Sequence, residues 1–136
     1  MNKIARNVLA VITGIILGSV VNMGIIMLQG SFIALPEGVD VTNTESLQSS
    51  MHLFEPKHFI FPFLAHAIGT LVGAYLSARI AASHKMKFAL GMGTFFLIGG
   101  ISMVLMIPSP IWFVILDLSL AYIPMGWLSG RLATKS

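Results

Sequence analysis

The chain has 136 residues, 56% of them hydrophobic and 10% charged, with a mean hydropathy of +0.89. A soluble domain carries about 25% charge, so the composition points to a membrane protein, and four long apolar runs leave no length for a separate soluble catalytic module. The net charge is +3 and cysteine is absent, which excludes disulfides, thiolate metal sites and a cysteine nucleophile. The few basic residues lie at the edges of apolar runs, where phospholipid headgroups rather than nucleic acid are the expected counter-charge.

Met1 to Asn7 is short and basic, with Lys3 and Arg6, and is followed by an uncharged run from Val8 to Leu28. The run is long for a secretory signal and lacks a clear cleavage site, so it reads as a retained first span. Gly14 and Gly18 stand at GxxxG spacing, with Asn22 one turn further on the same face. Small residues let helix backbones approach closely, and an amide can hydrogen-bond across the contact.

Residues 29–58 form the one long connection and hold Glu37, Asp40, Glu45 and Glu55 against Lys57. Pro36 and Gly38 mark a turn. Thr42-Asn-Thr-Glu45 reads as a capping box opening a short helix. Leu47, Met51 and Phe54 share a face of that helix, which predicts that it lies on the membrane or caps the bundle before Pro56 ends it.

Phe59 to Ala78 is the second span, with Pro62 in its first turn, His66, and a ladder of small residues including Ala65, Gly69, Gly73 and Ser77. A basic turn with Arg79, Lys85 and Lys87 leads to the third span, Phe88 to Ile107. Pro108-Ser-Pro110 forces an antiparallel return. The fourth span, Ile111 to Gly130, carries Asp117 and is predicted to kink near Pro124, with Trp112 and Trp127 as anchors at opposite interfaces. The expected architecture is an all-α integral membrane four-helix bundle of two antiparallel transmembrane hairpins: one domain, 1–136, with spans at about 8–28, 59–78, 88–107 and 111–130 and a short interfacial helix in loop 29–58.

Seven of the eight Lys and Arg residues lie in the N-terminus, the middle turn and the C-terminus. Four spans place all three segments on one side, and the positive-inside rule makes that side the cytoplasm. The acidic loop 29–58 is then outside, in a multi-pass protein of the plasma (inner) membrane. Span two ends Tyr75-Leu-Ser-Ala-Arg-Ile-Ala81 and span four ends Trp127-Leu-Ser-Gly-Arg-Leu-Ala133, with four of seven positions identical. Two readings stand: a tandem repeat of parallel hairpins, as in some transporters, or convergence of two helix ends on the same interface.

Counting residues from each span's centre puts Asn22, His66, Ser102 and Asp117 in one layer, roughly 4–7 Å outside the midplane at 1.5 Å per residue. A carboxylate at that depth needs a partner, and the expected arrangement pairs Asp117 with His66 while Asn22 and Ser102 complete the hydrogen bonds. Such a layer can simply set helix register, or it can serve as a proton or ion site, because histidine changes charge near neutral pH. A weaker constellation, His52, Glu55 and His58, has imidazole and carboxylate chemistry suited to a metal, but Pro56 interrupts it and no fourth ligand is evident.

In size and span count the chain resembles the small multidrug resistance transporters. Their pattern places an essential glutamate in the first span, where this chain has Asn22 and no carboxylate, and their aromatic substrate-binding motif is absent from it. Their activity and residues are therefore not carried over. Three function classes follow from the residues. The leading one is a non-enzymatic bundle, accessory or self-associating, with lipid, a second copy or a larger membrane complex as partner and no cofactor. The second is a small proton- or cation-coupled transporter or channel using the Asn22, His66 and Asp117 layer. The third is a lipid- or quinone-active membrane enzyme; a lateral gap sized for an acyl chain would favour it or a lipid-binding reading.

Overall fold

The computed structural model describes residues 1–135, all-helical with no strand among them. Six α-helices follow in order: α1 Lys3–Phe32, α2 Thr44–Ser50, α3 Ile60–Ile80, α4 Lys85–Met106, α5 Ile111–Leu120 and α6 Ile123–Thr134. Four stretches are long and apolar enough to cross a membrane: α1, α3, α4, and α5 with α6 together. This is a four-helix bundle of the kind that lipid demands, since each helix satisfies its own backbone.

Helix α1 outruns its predicted span at both ends. Asn2 caps it by accepting a hydrogen bond from the Ala5 amide at 2.7 Å, and the chain stays helical to Phe32. Thirty residues span about 45 Å, more than the hydrocarbon core, so its ends reach beyond the apolar layer. Helix α1 lies along α3 and scarcely touches α4, whereas α3 also contacts α4 and α6.

The α1–α3 contact is a glycine-on-glycine interface. A Cβ on Gly14 would lie 2.7 Å from the Gly73 carbonyl oxygen, and one on Gly18 would lie 2.9 Å from that of Gly69. Side chains at these positions would push the backbones apart, so glycine sets the approach. The α4–α6 contact follows the same logic, with Gly126 against the Ala89 carbonyl and Gly93 against that of Tyr122.

The fourth span is two helices rather than one kinked helix. Helix α5 ends at Leu120, and Tyr122 precedes α6 with φ −117° and ψ −75°. Pro124 cannot donate to the Leu120 carbonyl, so the break falls two to three residues before the proline, and Pro124 sits in the first turn of α6.

At the basic end, the Lys85 ammonium donates to the carbonyls of Ala78, Arg79 and Ala81, closing the C-terminus of α3. Arg6 donates to the Ile80 carbonyl and the Ala82 amide donates to Asn7, tying α1 to the same turn.

At the loop end, α2 is capped by Asn43, which accepts from the Ser46 amide, rather than by Thr42. The Thr42 hydroxyl is donated to Asp40, so the expected capping box does not form and a single N-cap bond stands one residue later. The short helix also stops at Ser50, before Pro56, and two 3-10 turns, Met51–Leu53 and Pro56–Phe59, lead into α3.

Candidate functional site

Asp117 on α5 is 4% exposed. Its carboxylate meets Nδ1 of His66 at 2.8 Å and 3.0 Å. The Tyr122 hydroxyl donates to the same carboxylate at 3.3 Å. An ionised carboxylate only accepts, so with Asp117 ionised it is Nδ1 of His66 that carries the proton. The Tyr122 ring also stacks on the His66 ring, with centroids 5.8 Å apart. The imidazole is thus held at one edge by Asp117 and on one face by Tyr122. Its other nitrogen, Nε2, has no hydrogen-bond partner among the described residues, and the side chain remains 24% exposed.

Tyr122 was not singled out by the sequence. It reaches Asp117 because the chain breaks between α5 and α6, and because Gly100 on α4 leaves room for its ring.

The polar layer holds two of its four expected members in contact. Ser102 is exposed and donates its hydroxyl to the Ile98 carbonyl one turn back in its own helix. Depth counting fixes a residue's height but not its azimuth, and serine in an apolar helix has its own backbone as a ready partner. Asn22 stands beside His66 on the wall of a cavity, without a hydrogen bond to the pair. Gly14, Gly18, Gly69 and Gly73 form the α1–α3 contact already described, and Ser77 is buried beside Gly14.

His52, Glu55 and His58 do not form a ligand set. His58 is buried, with Nδ1 accepting from the Glu55 amide at 2.8 Å and Nε2 donating to the Ala34 carbonyl at 2.9 Å. Both ring nitrogens are consumed by the backbone. Its own carbonyl accepts from the side chain of Gln29, at 2.7 Å. His52 and Glu55 are exposed, and no group of three His, Asp or Glu among the described residues is placed to hold a metal ion.

A cavity of about 340 Å³ opens above the pair, toward the loop end. Its walls are mainly Met, Ile, Val and Phe side chains from α1, α3, α4 and α5, and Leu47, Met51 and Phe54 roof it. The roof is fastened by the His58 bonds and by Gln48, whose side chain donates to the Met106 carbonyl at 2.6 Å. Phe59 packs on Phe113 and Trp112, closing the α3–α5 side.

Between α1 and α4 the bundle is open. A second space, about 450 Å³, runs there over the Gly69–Thr70 surface of α3, rimmed by exposed Ser19, Phe95, Ile98 and Gly99. Asn22, His66, Gly100 and Met103 line both spaces. A third apolar groove, past Phe95 and Met92, continues between the same helices toward the basic end. His66, and not the buried Asp117, therefore lines the space that opens on the side of the bundle.

Comparison of the chain with protein families, curated proteins and solved structures found no match.

Proposed function

We propose that this protein binds an uncharged amphiphilic molecule that enters from the bilayer between α1 and α4, with its polar end at the His66–Asp117 pair and its apolar body in the groove. The observation that carries this reading is the shared wall of the two spaces: Asn22, His66, Gly100 and Met103 face both the roofed cavity and the lateral opening. A mostly apolar pocket of a few hundred Å³ with a few convergent polar groups is the usual form of a small-molecule site. Of the three function classes raised by the sequence, this stands nearest the lipid- or quinone-active enzyme, but as binding without a reaction.

The other classes draw less support. A purely structural pair would be sealed and fully hydrogen-bonded, whereas Nε2 of His66 lacks a partner among the described residues. A transporter needs a polar route from the pair to the basic end, and the glycine contacts of Gly14 and Gly18 with Gly69 and Gly73 occupy the α1–α3 side of that route.

The basic end faces the cytoplasm by the positive-inside rule. The pair and the roofed cavity then lie in the outer half of the membrane, beneath the acidic loop. Localisation to the plasma (inner) membrane belongs to this same reading.

The test is photolabelling in phosphatidylcholine nanodiscs with a long-chain alkyl diazirine, mapped by mass spectrometry. Labels concentrated on the groove residues Phe95, Ile98 and Met103 are expected. Gly99→Leu should reduce them several-fold, because a Cβ at Gly99 meets nothing within 4 Å and the leucine would fill the groove mouth without disturbing the fold. Uniform labelling of all lipid-facing surfaces, unchanged by Gly99→Leu, would overturn the reading.

A further inference from the structure

We infer that the polar end of the bound molecule is a hydroxyl group, donated to Nε2 of His66, so that the ligand class is an uncharged long-chain alcohol or alkylphenol. The inference rests on the proposed binding site and adds the chemistry of the headgroup.

Three observations carry it. The first is the tautomer. The Tyr122 hydroxyl donates to Asp117, and Nδ1 of His66 lies 2.8 Å from the same carboxylate, which in its ionised form can only accept. In the uncharged ring, a proton on Nδ1 leaves Nε2 as a bare acceptor. That nitrogen calls for a donor, which an ester, ether or quinone carbonyl does not supply and a hydroxyl does.

The second is charge. No Lys or Arg lines the roofed cavity or the lateral opening among the described residues, and the one acidic side chain, Asp117, is on the wall of the roofed cavity. A phosphate or carboxylate headgroup would be desolvated beside a negative charge with no cation to offset it. A neutral headgroup avoids that cost.

The third is Asn22, which lines both spaces with His66 and makes no side-chain hydrogen bond among the described residues. Its amide both donates and accepts. A hydroxyl donating to Nε2 still has lone pairs for the Asn22 amide, so one small group can satisfy both walls.

Competition against the diazirine probe in nanodiscs tests this. The competitors are hexadecanol, pentadecylphenol, hexadecyl methyl ether and palmitate, with the Nε2 resonance of His66 followed by ¹⁵N NMR. The alcohol or the phenol is expected to displace the probe at about fivefold lower membrane mole fraction than the ether, the scale of one neutral hydrogen bond. Whichever of the two competes more strongly identifies the hydroxyl source. The Nε2 resonance should move with the hydroxyl compound and stay still with the ether.

His66→Phe, and His66→Phe combined with Asp117→Asn in case the single change unfolds the protein, should erase the preference for hydroxyl over ether. Equal competition by alcohol and ether with Nε2 unmoved would overturn the headgroup inference while leaving the binding site standing. Strongest competition by palmitate would overturn it in favour of an anion. If no competitor displaces the probe and labelling is not confined to the groove, the binding site itself fails.

Discussion

The Tyr122 hydroxyl fills the space that a side chain at Gly100 would need: a Cβ there would lie 2.6 Å from its oxygen and 2.7 Å from the adjoining ring carbon. Tyr122 is 3% exposed and bonded to Asp117, so it has little freedom to swing away. Gly100→Ala is expected to push the ring off the carboxylate and cost about 1–3 kcal/mol, as overpacking does. Reversible unfolding in detergent measures this, and an unchanged stability would show that the ring yields freely.

The α1–α3 interface predicts a contrast among glycines. A Cβ on Gly73 would meet the Gly14 carbonyl at 2.6 Å, which is backbone and cannot rotate aside. Gly73→Ala should destabilise by about 1–3 kcal/mol. Gly24→Ala and Gly91→Ala meet nothing within 4 Å and should leave stability within about 0.5 kcal/mol or raise it slightly. Equal effects at all three positions would mean that helix propensity, not close approach, governs these glycines.

His66 and Asp117 should behave as a coupled pair. A double-mutant cycle with His66→Ala and Asp117→Asn is expected to give a coupling of about 1–2 kcal/mol, near the upper end for polar contacts between membrane helices. Additive effects would mean that the 2.8 Å contact adds nothing to the stability of the bundle.

The roof over the cavity depends on His58. His58→Ala removes the acceptor for the Glu55 amide and the donor to the Ala34 carbonyl, each bond being worth about 1 kcal/mol. Amide hydrogen exchange should accelerate across residues 39–55 while the cores of α3 and α4 stay protected. Unchanged exchange in that segment would mean that the apolar contacts of Leu47, Met51 and Phe54 hold the roof alone.

Asp40 supplies a pH dependence whose sign follows from its bonds. The Thr42 hydroxyl and then the Thr42 amide donate to its carboxylate and hold it below the ordinary carboxylate range. A depressed folded-state pKa gives stabilisation that is complete above the unfolded value and lost as pH falls through the folded one. The loop turn should therefore loosen only in acid, below the ordinary aspartate range. Thr42→Val should move the Asp40 titration, followed by NMR, back toward its usual position.

Much of this protein was legible in its residues because run length and periodicity are local properties. An apolar run near twenty residues can cross a bilayer whatever surrounds it. Height along a helix is equally local, and counting by rise per residue put His66 and Asp117 at one level, where they touch. The same count misassigned Ser102, because azimuth depends on which face a helix turns toward its neighbours. It missed Tyr122 because a break before Pro124 can be expected from the proline, but which side chain it brings to Asp117 depends on how the helices pack. Gln29 read as the start of a loop, yet it is a buried residue of α1 whose side chain reaches His58.

By itself, then, the sequence determined four apolar helices, their antiparallel order and the small-residue faces that bring them together. All of these follow from hydropathy, turn chemistry and side-chain size along one stretch of chain. Only the tertiary structure decided that α1 leans on α3 and scarcely touches α4, that His66 lines the resulting space with Nε2 unpartnered among the described residues, and that the acidic loop roofs the adjoining cavity. A gap between two helices is a property of how a third one holds them apart, and no single stretch of sequence encodes that separation.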